Sequence, residues 1–130
     1  MQQKTKNIFF NTCILLSTLL LMLLLFGNQL KSNAFLQVLG RMHPLMLHFP
    51  IVLLLVAFTW ELATARTNNS VLQNAGDWLL LAAALTSLIA ALMGILLSQE
   101  EGYNSNSLSL HKWSGAIIAL VALLWYALRN

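Results

Sequence analysis

IFFNTCILLSTLLLMLLLF, running from Ile8 to Phe26, carries no charged side chain in 19 positions. As a helix it is about 28 Å long, close to one hydrocarbon thickness, so it reads as a membrane-spanning segment. Lys4 and Lys6 precede it, and Ser32-Asn33-Ala34 has the small-residue character of a signal-peptidase site, which opens a rival reading as a cleaved signal peptide. The apolar run is longer than the typical signal core of about 7–15 residues and favours a retained anchor.

The rest of the chain follows the same pattern. Its 130 residues are 58% hydrophobic and 8% charged, with a mean hydropathy of +0.73, which fits an integral membrane protein and not a soluble domain. The net charge of +3 comes from isolated Lys and Arg residues, with no basic run, so no nucleic-acid partner is implied and the bilayer is the expected surrounding. Cys13, the single cysteine, excludes an intrachain disulfide, a Cys-based zinc site and c-type haem attachment.

Three further spans are expected: Pro44 to Thr64, Trp78 to Leu97 after the connector TARTNNSVLQNAGD, and Trp113 to Leu128. In that connector Gly76 and Asp77 read as a turn followed by a helix N-terminal acid. The fold class is therefore all-α, four transmembrane helices packed as a small bundle. Residues 1–34 form the anchor helix and linker, and residues 35–130 a three-helix membrane domain. The lysines before the first span favour an N-terminus in the cytoplasm.

Alternation of helix direction puts the start of the second span, the end of the third and the start of the fourth on one membrane face. His43, His48, Glu100, Glu101 and His111 are thereby gathered on one side, the periplasmic one in this topology. Ala82, Thr86, Ala90, Gly94 and Ser98 recur every four residues, a small-residue stripe that lets membrane helices approach closely. His111, Gly115 and Ala119 repeat that spacing and turn His111 towards the bundle.

In RMHPLMLHFP, Arg41 to Pro50, Pro44 suits a helical first turn and biases His43 out of the helical region. Pro50 cannot donate to the Met46 carbonyl, so it kinks the span or starts a second helical segment. His43 and His48 lie about 140° apart on a straight helix and do not share a face. Imidazole ligates haem iron and divalent metals and also titrates near neutral pH. The bland alternative is that His43 caps a helix, His48 bonds a carbonyl freed by Pro50, and His111 caps the fourth span or pairs with Glu100 or Glu101. Glu61 reads as an interfacial residue near Arg66. No nucleophile–base arrangement or phosphate loop is visible, so no enzyme is implied by this chain alone.

LGRMHPLMLHFPIVLLL followed by GILLSQEEGYNSNSLSLHKWSG resembles an uncharacterised family of bacterial predicted membrane proteins with an HPxxxHFP motif. The resemblance is closest to the version that precedes c-type cytochrome domains. His43, Pro44, His48 and Pro50 match its first box, Glu100, Gly102 and Tyr103 its second, and His111, Trp113 and Gly115 its third. The resemblance implies a bacterial inner-membrane location and a respiratory or periplasmic electron-transfer setting, with a c-type cytochrome or another membrane subunit as partner. Longer members continue into a further His-bearing helix; if that His belongs to the site, this chain either lacks the site or completes it with a partner subunit. The expected ligands are His48 and His111, with His43 and Glu100 as supporting or alternative ligands, for haem b or a divalent metal. The competing expectation is a cofactor-free anchor or assembly subunit.

Overall fold

A computed structural model describes residues 2–27, 33–100 and 106–129. The described residues form helices α1 (Gln2–Phe26), α2 (Ala34–Arg41), α3 (His43–Met46), α4 (His48–Thr64), α5 (Ser70–Leu97) and α6 (Asn106–Arg129), with no strand among them. Four helical stretches are long and apolar enough to cross a membrane, and α2, α3 and α4 together make the second. The outward side chains are themselves apolar: Leu15, Leu25, Leu55 and Leu124 are all more than half exposed. A surface of that kind is stable against lipid, where each helix satisfies its own backbone polar groups.

The central element is α5. Helices α1, α2, α3, α4 and α6 all pack on it, and Leu80, Leu81, Ala83, Ala84 and Leu88 are almost wholly buried. Alanines at these positions keep α5 thin enough for neighbours on several sides. Close approach is tightest at Gly40 on α2, where a Cβ would lie 2.7 Å from the backbone nitrogen of Leu97. Only glycine lets α2 cross the end of α5 there.

Each of the four spans begins earlier than the sequence expectation, at Gln2, Ala34, Ser70 and Asn106, and two of these starts have a visible cap. The second span begins at Ala34, where the Asn33 side chain accepts a hydrogen bond from the Leu36 amide, so α2 precedes the histidine box. Likewise α5 begins at Ser70, because Asn69 has extended backbone angles and its side chain accepts from the Val71 and Leu72 amides. A good Asn cap outweighs the Gly76-Asp77 turn signal. Those two residues lie inside the helix, and Gly76 makes room for the Arg129 guanidinium, which a Cβ would meet at 2.8 Å.

Asp77 consequently does not serve as a helix-start acid. It accepts from Lys6 Nζ at 2.7 Å and from Arg129 Nε at 2.8 Å, and Arg129 also pairs with Glu61. Helices α1, α4, α5 and α6 are tied together at this end by one charge network. Glu61 thus meets Arg129 rather than Arg66. Each carboxylate has a cationic partner, which is what makes burial of these charges tolerable.

Candidate functional site

The other end of the bundle holds the histidines. Pro44 occupies the first turn of α3, and the chain remains close to helical through Met42 and Leu47, with φ/ψ of −78°/−8° and −59°/−29°. His43 is therefore the first residue of a short helix and does not lie outside the helical region. The span then resumes as α4 at His48, with Pro50 buried in its first turn. Of the two outcomes open to Pro50, the second helical segment is the one observed.

This jog sends the two histidines to different places. His43 turns inward, and its Nδ1 lies 2.8 Å from the Ala90 carbonyl oxygen. A carbonyl only accepts, so Nδ1 carries the proton and donates, and Nε2 of the neutral ring is left as an acceptor. That Nε2 is buried and has no hydrogen-bond partner. Gly94 makes the position possible, since a Cβ there would approach the His43 ring to 2.9 Å. The small stripe on α5 thus accommodates an imidazole, with Ala90 giving a carbonyl and Gly94 giving space.

His111 on α6 faces His43 edge-on, with ring centroids 6.2 Å apart. His48 is exposed, and its Nδ1 lies 3.4 Å from the Leu45 carbonyl oxygen, a long contact. Glu100 is engaged by Arg41, through two-pronged contacts of 3.1–3.2 Å. Glu101, Gly102 and Tyr103 lie outside the described residues. The face shared by His43, His111 and Glu100 is the one that helix alternation requires. The ring contact, however, joins His111 to His43.

Between α4, α5 and α6 lies a cavity of about 440 Å³, lined by both His43 and His111. Helices α4 and α6 each pack along α5 but make little contact with each other, so they form the two walls of a cleft. Ile51 on α4 and Ile118 on α6 line it while remaining about half exposed on the lipid-facing side. About two turns further along both helices, Phe58 and Trp125 meet at 6.4 Å and close the cleft. Gly115 lines the cavity as well, and a Cβ built there meets nothing within 4 Å. Unlike Gly94, it borders open space. On the α5 wall, Ser87 is 6% exposed and its hydroxyl also lacks a partner. Sequence reasoning missed Ser87, although its place one turn before Ala90 was visible.

An imidazole that donates one ring nitrogen to a backbone carbonyl has its tautomer and ring orientation fixed, as ligating histidines do. His43 and His111 are the two imidazoles that line the cavity, with ring centroids 6.2 Å apart. Among the described residues, no group of three His, Cys, Asp or Glu comes together to hold a metal ion. Two imidazoles, His43 and His111, are what the described part of the cavity offers to such an ion.

A family described as predicted membrane protein (DUF2231), a domain of unknown function, matches residues 41–130. This chain belongs to it. The matched region of this DUF2231 protein begins at Arg41, just before the His43-Pro44 box, and takes in every residue that lines the cavity. No curated protein and no solved structure matches the chain.

Proposed function

We propose that this protein is a small inner-membrane component of an electron-transfer assembly, and that it acts through a ligand bound against His43 in the α4–α5–α6 cavity. The observation that carries the reading is the buried, unpartnered Nε2 of His43, whose ring lines a mostly apolar cavity. Leaving such an acceptor unsatisfied costs about 1–3 kcal/mol, which a bound donor or metal recovers. The electron-transfer setting, with a c-type cytochrome or another membrane subunit as partner, is supported by the motif resemblance to membrane domains that precede cytochromes. The N-terminus lies in the cytoplasm in this reading, and the His43–His111 end faces the periplasm.

With their ring centroids 6.2 Å apart, His43 and His111 would be the residues to hold haem b or a divalent metal as that ligand, each giving one nitrogen. Such a group would supply one-electron redox chemistry. The chain's own contribution is to fix the His43 tautomer through Ala90 and to bring His111, which is exposed, alongside it at the mouth of a mostly apolar cavity.

The test is an inventory of what purifies with the protein in mild detergent from its native membrane: a reduced-minus-oxidised spectrum, metal analysis and solvent extraction of organic ligands. A stoichiometric ligand that is lost in His43→Ala but kept in His48→Ala supports the reading. A folded protein with no ligand of any kind makes it an anchor or assembly subunit instead.

A further inference from the structure

The polar residues that line the cavity are His43, Ser87, Ser98, His111, Lys112 and Ser114. All but Lys112 are engaged or buried within the protein. Ser98 Oγ donates to the Ile95 carbonyl and Ser114 Oγ to the His111 carbonyl, each inside its own helix end. His43 is bonded to Ala90 with His111 edge-on against it, and the Ser87 hydroxyl is buried. Lys112 is half-buried, and among the described residues no ion pair reaches it. Glu100, the described carboxylate at this end of the bundle, is held by Arg41, while Asp77 and Glu61 belong to the network at the other end. A cation thus lines a cavity that is otherwise mostly Leu, Ile, Ala, Pro and Gly, and it selects an anion carried on an apolar body.

The shape of the cavity selects that body. Its lining runs from Ser87 to Ser98 on α5 and from Leu108 to Ile118 on α6, about 15–16 Å of helix in each case. One leaflet of the hydrocarbon core is equally deep, half of a thickness of about 30 Å. Lys112 lies about one turn from the outer end of this run, and Phe58 and Trp125 close the cleft at the inner end. Between the two ends the cleft opens sideways past Ile51 and Ile118, so an occupant arrives from the lipid phase. A bilayer lipid has its charge at the interface and a chain one leaflet long, which is the same arrangement.

We infer that the cavity takes one acyl chain of an anionic phospholipid, with the headgroup phosphate paired to Lys112 and the second chain left in the bilayer. The inference goes beyond the proposed function, because it depends on Lys112 and on the length of the cleft and not on what meets His43. A zwitterionic phospholipid offers the same chain without the net charge. A free phosphate ester offers the charge without the chain. Anionic lipid alone satisfies both ends of the cleft.

The test is lipid retention by the purified full-length protein in micelles holding equal amounts of phosphatidylglycerol and phosphatidylcholine, counted by native mass spectrometry. Phosphatidylglycerol is expected at about one per protein and about fivefold over phosphatidylcholine, the effect of one Lys on an anionic headgroup. Lys112→Gln should reduce that preference to about twofold or less at an unchanged melting temperature, whereas His43→Ala should keep it. Gly115→Leu should remove both lipids with the fold retained, because its side chain enters open space. Glycerol 3-phosphate should not displace the lipid; displacement makes this a site for free phosphate and overturns the inference. Equal retention of the two lipids, a preference that survives Lys112→Gln, or lipid that survives Gly115→Leu also overturns it. A haem or metal lost in His43→Ala, in a protein with no lipid preference, overturns the lipid and leaves the proposed function standing. A preference lost in Lys112→Gln, with no ligand lost in His43→Ala, keeps the lipid and overturns the reading of His43.

Discussion

His43 on α3 and His111 on α6 meet edge to face with ring centroids 6.2 Å apart, and α5 makes the meeting possible. Its Ala90 carbonyl holds one His43 nitrogen, and its Gly94 leaves room for the ring. Gly94→Ala should therefore displace the imidazole, destabilise the bundle by about 1–3 kcal/mol and lower ligand content. Thermal unfolding in detergent, together with the ligand inventory, reads both effects.

Gly40 and Gly115 should respond to alanine in opposite directions. At Gly40 the obstacle is the Leu97 backbone at 2.7 Å, which cannot swing away as a side chain can. Gly40→Ala should cost roughly 2 kcal/mol or more. Gly115→Ala meets nothing and should be neutral or stabilising by up to about 1 kcal/mol, the usual helical advantage of alanine over glycine. Parallel melting curves of the two variants check the contrast.

The charge network at the far end gives a third expectation. Asp77→Asn removes the carboxylate shared by Lys6 and Arg129, whose side chains are only 7% and 15% exposed. A buried cation left unpaired is costly, and the variant should lose roughly 3 kcal/mol. Glu61→Gln should cost less, since its side chain is 36% exposed and Arg129 keeps Asp77. Denaturant titration in mixed micelles orders the two.

Arg41 and Glu100 form a pair of another kind. The Arg41 side chain is 64% exposed, so solvent screens the contact. Glu100→Gln should change stability by less than about 1 kcal/mol and leave ligand content unaltered. Loss of ligand in this variant would instead make Glu100 part of the site.

These expectations depend unevenly on what the sequence makes legible. The spans are written in their apolar runs, and helix alternation alone puts His43, His111 and Glu100 on one face. The choice of inward histidine is not legible, because it depends on how the chain jogs at Met42 and Leu47, and a helical wheel assumes a straight axis. Equal spacing in the two small stripes likewise hides a difference: Gly94 touches an imidazole, whereas Gly115 borders open space. Residue type names a face, but the neighbouring helix decides what fills it. Pairing of Asp77 with Lys6 and Arg129 is hidden for a related reason, since three sequence-distant helices must meet before these charges become partners. The early start of α5 at Ser70 was legible in principle through Asn69, a strong cap whose signal was outweighed by the more conspicuous Gly76-Asp77.

The central claim is that a ligand fills the α4–α5–α6 cavity against His43. Its most direct test is to purify wild type and Gly115→Leu from the native membrane and quantify bound haem, metal and extractable organic molecules in each. The predicted result is a stoichiometric ligand in the wild type and none in Gly115→Leu, at an unchanged or higher melting temperature. Equal ligand content in the two proteins, or none in either, would contradict it.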